Sequence, residues 1–112
     1  MKRFGWVIGL HADKIDEYKR LHSDVWPDVL KTITECNVRN YSIYLHQFPD
    51  GNWYLFSYVE YTGDDFDADM ARMAAHPVTQ QWWAVCKPCQ MPLANRAQGE
   101  WWADMEEVFH CD

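Results

Sequence analysis

The chain is short of positive charge: 10 lysine and arginine residues stand against 17 aspartate and glutamate, a formal net charge of -7. That balance argues against a nucleic-acid or anionic-membrane partner, since a phosphate surface needs a basic stripe to hold it. Long hydrophobic runs are missing too. No apolar stretch approaches bilayer length, and Met1-Lys2-Arg3 is not followed by a signal-peptide core. A cytoplasmic location is therefore expected. Cysteine is sparse at 4 residues, and without a secretory signal reduced thiols are the default rather than a disulfide framework. Cys86-Lys87-Pro88-Cys89 has redox or half-zinc-site spacing. It follows a helical stretch instead of opening one, and no second CxxC or HxxxH completes a metal shell, so neither chemistry is assigned to it.

Aromatic residues are plentiful. Nearly half of the 112 residues are apolar, with 7 tryptophans, 6 tyrosines and 5 phenylalanines, which excludes disorder. This length makes one domain, residues 1–112, able to bury roughly two-thirds of its unfolded surface. So many amphipathic rings point to a ring-lined pocket, a subunit interface, or both.

Along the chain, Phe4 to Leu10 is almost wholly apolar and reads as a central strand, with Gly5 and Gly9 permitting close approach. A helix starts at Ala12-Asp13 and carries Ile15, Tyr18, Leu21, His22 and Val25 on one side. Pro27 ends it, and Val29, Leu30 and Ile33 continue the apolar face to about Cys36. Asn40 to Gln47 alternates, with Tyr41, Ile43 and Leu45 facing one way, and reads as a half-buried strand. Pro49-Asp50-Gly51-Asn52 turns it into a second strand, Trp53 to Glu60. Asp64-Asp65 can cap a helix holding Phe66, Met70 and Met73, and Pro77 restarts it with a stripe of Val78, Trp82 and Val85. Lys87 to Gly99 reads as an irregular loop and Met105 to Cys111 as a final strand.

The order strand, helix, strand, strand, helix, strand is that of an α+β, ferredoxin-like split βαβ fold: an antiparallel sheet with helices on one face. The other face would show Tyr44, His46, Tyr54, Phe56 and Tyr58, and sheet-to-sheet dimerisation would cover it.

Tyr18 and His22 lie one helical turn apart and project together from one face. Histidine alone titrates near neutrality without perturbation, which makes it the natural proton donor or acceptor. The alternative is a partly buried helical histidine with a hydrogen-bond partner. Tyr41 shares a face with Ile43 and Leu45, and Trp82 a stripe with Val78 and Val85, so core packing alone is the alternative account of each. Trp83 points away from that stripe, toward a pocket. Trp6 and Trp26 read as structural; His46, His76 and His110 read as surface or interface residues.

Four blocks in order, Tyr18…His22…Trp26-Pro27, Asn40-Tyr41-Ser42-Ile43-Tyr44-Leu45, Gln81-Trp82-Trp83 and Glu106-Glu107-Val108-Phe109, resemble the L-rhamnose mutarotase family. The resemblance implies a dimeric α/β-barrel type of ferredoxin-like protein that interconverts the α and β anomers of a deoxyhexose. It implies a homodimer with a small-molecule sugar substrate, and no metal or organic cofactor. Carried over by position, His22 corresponds to the proton donor, and Tyr18, Tyr41, Trp82 and Trp83 to the sugar-binding residues. The loop Pro88 to Trp102, with Trp101-Trp102, and the acidic segment from Glu60 to Ala75 depart from the family pattern. Loops carry specificity, so L-fucose or a related deoxysugar stands as the alternative substrate. More distant alternatives are a cofactor-free monooxygenase or a non-catalytic sugar-binding module of the same fold.

Overall fold

A computed structural model describes residues 1–112. Strand β1 (Lys2–Leu10) leads through a 3-10 turn (Ala12–Lys14) into α1 (Ile15–Ser23) and α2 (Pro27–Glu35). The hairpin β2 (Val38–Gln47) and β3 (Trp53–Tyr61) follows, then α3 (Phe66–Ala75) and α4 (Pro77–Cys86). Two short strands close the chain, β4 (Gln90–Met91) and β5 (Ala103–Met105). The sheet is antiparallel in the order β2-β3-β1-β4, with β5 also on β1. The ferredoxin-like α+β reading therefore holds. No helix is long and apolar enough to cross a membrane.

Helix boundaries follow local chemistry. Pro27 and Pro77 occupy first-turn positions, where a missing N–H costs nothing. The Asp65 carboxylate accepts from the Ala68 N–H and so caps α3. His76, read from sequence as a surface residue, also serves the backbone, because its Nδ1 accepts from the Val78 N–H at 3.3 Å and caps α4.

The core lies between sheet and helices, where Ile8, Leu10, Val29 and Leu55 are nearly inaccessible. Alternation along β3 sends Leu55, Ser57, Val59 and Tyr61 inward. In β2 strict alternation would put Val38 and Tyr41 on opposite faces. Both nevertheless line the same interior cavity. A bulge reconciles them: Asn40 and Tyr41 together oppose the single residue Val59, and Asn40 takes a positive φ of 50°. Asparagine tolerates that left-handed conformation better than most residues.

The end of the chain departs from the sequence reading. Ladder pairing stops at Met105, and residues 106–112 form no regular structure, so the strand expected from Met105 to Cys111 is only Ala103–Met105. Beyond Met105 the contact with β1 is made by side chains: the Arg3 guanidinium holds the Glu107 carboxylate at 3.0 Å. Val108 and Phe109 stay largely exposed. The segment expected as irregular loop contains a 3-10 turn (Lys87–Cys89) and β4. The β1 edge is thus shared, with Gly9 and Leu10 pairing β4 while Gly5 to Val7 pair β5. Gly9 is required there, since a Cβ would come within 2.6 Å of the Met91 carbonyl oxygen. Residues 92–102 leave between these two short strands as a strap that brings Trp101 and Trp102 back against the core cluster.

Candidate active site

Between the strap, α1, α4 and the bulged part of β2 lies a cavity of about 390 Å³. This falls within the range of about 300–1,000 Å³ usual for small-ligand sites. Tyr18, His22, Tyr41, Trp82 and Trp83 all line it, brought together from α1, β2 and α4. A second cavity of about 250 Å³ also borders Tyr18, His22 and Ile43, so the Tyr18–His22 pair stands between two openings. Trp6, read from sequence as purely structural, lines the larger cavity as well.

His22 is held on three sides. Its ring stacks on Tyr18 with centroids 4.2 Å apart and meets the Trp82 ring edge-on at 5.2 Å. Nδ1 lies 2.9 Å from the Tyr18 carbonyl oxygen, an acceptor, so Nδ1 carries the proton. That fixes the tautomer and leaves Nε2 with a free lone pair. Burial lowers the pKa below the ordinary 6.5, against a smaller opposing effect of the carbonyl hydrogen bond. At neutral pH His22 is a neutral imidazole ready to accept a proton.

The phenols do the reverse. Burial pushes the Tyr18 phenol well up, its hydrogen bond from Gln90 opposing. Tyr41 is 42 % exposed as a residue, yet desolvation, with a smaller effect of Cys86, pushes its phenol up to about 12. Both tyrosines stay protonated and can donate hydrogen bonds without acting as bases.

Trp82 is only 8 % exposed and also packs edge-on against Trp26 at 5.1 Å, so it is at once core and cavity wall. Trp83 is half-buried, with the Lys87 ammonium 5.0 Å from its ring centroid; the same ammonium lies 5.3 Å from the Trp101 ring. Cys86, the last residue of α4, and Cys89, in the 3-10 turn that follows, are buried free thiols. Burial pushes Cys86 up to about 12 and raises Cys89, the opposite of what an attacking thiolate needs. No three His, Cys, Asp or Glu side chains are grouped to share a metal ion.

The sequence reading missed Lys87 and Gln90 as cavity residues and left Trp101 and Trp102 without a role. Two tryptophans in an otherwise polar loop were the visible signal for the second pair. Gln90 offered none.

A ferredoxin-like α+β scaffold here closes a ring-lined cavity around a neutral, oriented imidazole, an arrangement that can hold a small molecule and accept a proton from it. Residues 3–111 match the family model for L-rhamnose mutarotase, and the chain belongs to that family. The L-rhamnose mutarotase of Oceanobacillus iheyensis is 31% identical over 112 residues, spanning 100% of both chains. Among solved structures, an L-rhamnose mutarotase from Formosa agariphila superposes with a TM-score of 0.76 at 20% identity, covering 100% of both chains. A type II polyketide cyclase from Streptomyces glaucescens shares the fold at TM-score 0.69 and 15% identity, covering 100% of this chain and 98% of its own. These structural likenesses establish the fold, which evidently serves more than one chemistry.

Proposed function

We propose that this protein is an isomerase that interconverts the α and β anomers of L-rhamnose by acid–base ring opening, with His22 as the proton-transfer residue. The observation that carries this reading is the free Nε2 of a neutral His22 inside an aromatic cavity. Nε2 takes the proton of the anomeric hydroxyl while the bond between C1 and the ring oxygen breaks. O1 becomes the aldehyde oxygen; the ring oxygen takes a proton from a solvent water, and the proton held on Nε2 neutralises the hydroxide that this leaves. Rotation about C1–C2 presents the other aldehyde face, and reclosure by the reverse steps returns the proton and gives the other anomer. Phenols of Tyr18 and Tyr41 donate to sugar oxygens, and the faces of Trp82 and Trp83 pack on the C–H surface. A positioned acid–base group supplies about 100- to 10,000-fold, enough for a reaction that already proceeds in water.

Anomer-exchange NMR tests the reading. Selective saturation of one anomeric proton of L-rhamnose should transfer to the other when the protein is added. L-Fucose is the comparison that fixes the substrate. No acceleration with either sugar would overturn the proposal.

The same reading makes the protein a homodimer built on the open sheet face. Phe48 packs there at a tilt against Tyr54 at 4.7 Å and stacks on Phe56 at 6.1 Å, and Tyr44 is 65 % exposed. An apolar patch of this kind is unusual on a monomer and fits a second copy of the chain. Sedimentation should give twice the 13.4 kDa chain mass at micromolar concentration. A stable monomer would count against the dimer. Free thiols at all four cysteines suit a reducing cytoplasm.

A further inference from the structure

Gln90 is 7 % exposed and sits on β4, where both ends of its amide are engaged. Its Oε1 accepts from the Trp101 indole N–H at 2.8 Å, and its Nε2 donates to the Tyr18 hydroxyl at 3.3 Å. An indole N–H can only donate, so the oxygen of the amide must face Trp101 and the nitrogen must face Tyr18. The Tyr18 oxygen therefore accepts from Gln90, and its own proton must point elsewhere. All three residues line the larger cavity.

We infer that Trp101 and Gln90 are positioning residues that commit the Tyr18 phenol to donating its proton's hydrogen bond into the cavity, toward an oxygen of the bound sugar. Without this arrangement a hydroxyl is free to turn and offer either a proton or a lone pair. The fold invests in the arrangement at both ends. The missing Cβ of Gly9 lets β4 approach β1, and the Cys89 carbonyl accepts from the His11 N–H at 2.9 Å, which together fix Gln90. The Lys87 ammonium lies against both the Trp83 and Trp101 rings and ties the strap to α4. Burying an amide is costly unless both of its ends are partnered, so the three side chains hold one another in a single polarity. The strap thereby reaches the Tyr18 phenol in the cavity wall.

This inference rests on the sugar-binding reading of the cavity, and Gln90→Glu tests it. An ionised carboxylate accepts from both neighbours, so the Tyr18 proton must turn toward it and the cavity then meets only phenol lone pairs. With the carboxyl ionised, the carbon-13 resonance of the Tyr18 ring carbon bearing the hydroxyl should move toward the phenolate position. Calorimetry should show L-rhamnose affinity falling about 10- to 100-fold, as befits a hydrogen bond replaced by an opposed pair of acceptors. In a Tyr18→Phe background the same substitution should cost no further affinity. Should Gln90→Glu not fold, Trp101→Phe releases the amide to turn over, and its loss of affinity should likewise vanish in the Tyr18→Phe background. Wild-type affinity with an ionised carboxyl, or an equal loss without the Tyr18 hydroxyl, overturns the inference. A wild-type protein that neither binds nor exchanges L-rhamnose overturns the functional reading instead, and the carbon-13 shift, which needs no sugar, still decides the polarity of Tyr18.

Discussion

Replacing His22 with alanine should abolish nearly all catalysed anomer exchange, a loss of about 100- to 10,000-fold in rate. Its Nε2 is the cavity atom with a free lone pair and a pKa suited to accepting a proton at neutral pH. The fold should survive, because Ile15 and Leu21 keep α1 packed against the core, with Val25 just beyond its end. Sugar affinity should fall only modestly, since both tyrosines and both tryptophans still line the cavity. Exchange NMR with calorimetry on the same sample separates these effects. A folded variant with near-normal exchange would make His22 structural and leave the proton to another group.

The acid limb of the pH profile follows from the same burial. Because burial lowers the His22 pKa below 6.5, the accepting form persists at neutral pH, and exchange should decline only once pH falls below that ordinary value. Stability has the same sign. Below pH 6.5 the unfolded chain takes up a proton that folded His22 resists, so the contribution of His22 to stability is present above 6.5 and lost toward its lower folded pKa. Melting curves of wild type and His22→Ala should therefore converge as pH falls through that window.

Much of this site was legible from spacing alone. Tyr18 and His22 meet because residues four apart share a helix face, and Pro27 marks where that helix must stop. Alternation from Tyr41 to Leu45 gave the correct inward face, although the bulge at Asn40 that lets Val38 share it left no trace in the pattern. Alternation could not show where pairing stops. The β1 edge runs on past Gly5 to Lys2, yet Glu106-Glu107-Val108-Phe109, which looks strand-forming, leaves the ladder after Met105 and is held to β1 through the Arg3 side chain. Gln90 escaped for a different reason. A strand of two residues has no period, and its link to Tyr18 joins positions 72 apart in sequence.

Trp82→Ala should be the most damaging substitution for stability, costing about 3–5 kcal/mol as expected for emptying a buried tryptophan site. The ring is 8 % exposed and wedged between Trp26 and His22 within the core cluster. Its removal also merges a void with the cavity and frees the His22 ring from one of its walls, so exchange should fall together with the urea midpoint. Trp83→Ala should behave differently. That ring is only half-buried and packs beneath the Lys87 ammonium, so its loss should leave the unfolding midpoint much closer to wild type while weakening L-rhamnose binding. Urea denaturation and calorimetry on the two variants side by side measure the contrast. If Trp82→Ala unfolds near the wild-type midpoint, the ring is not part of the core; if Trp83→Ala binds sugar normally, that wall of the cavity does not touch the ligand. The adjacent tryptophans thus divide the work their position on α4 imposes, one facing inward to hold the helix and one turned toward the opening.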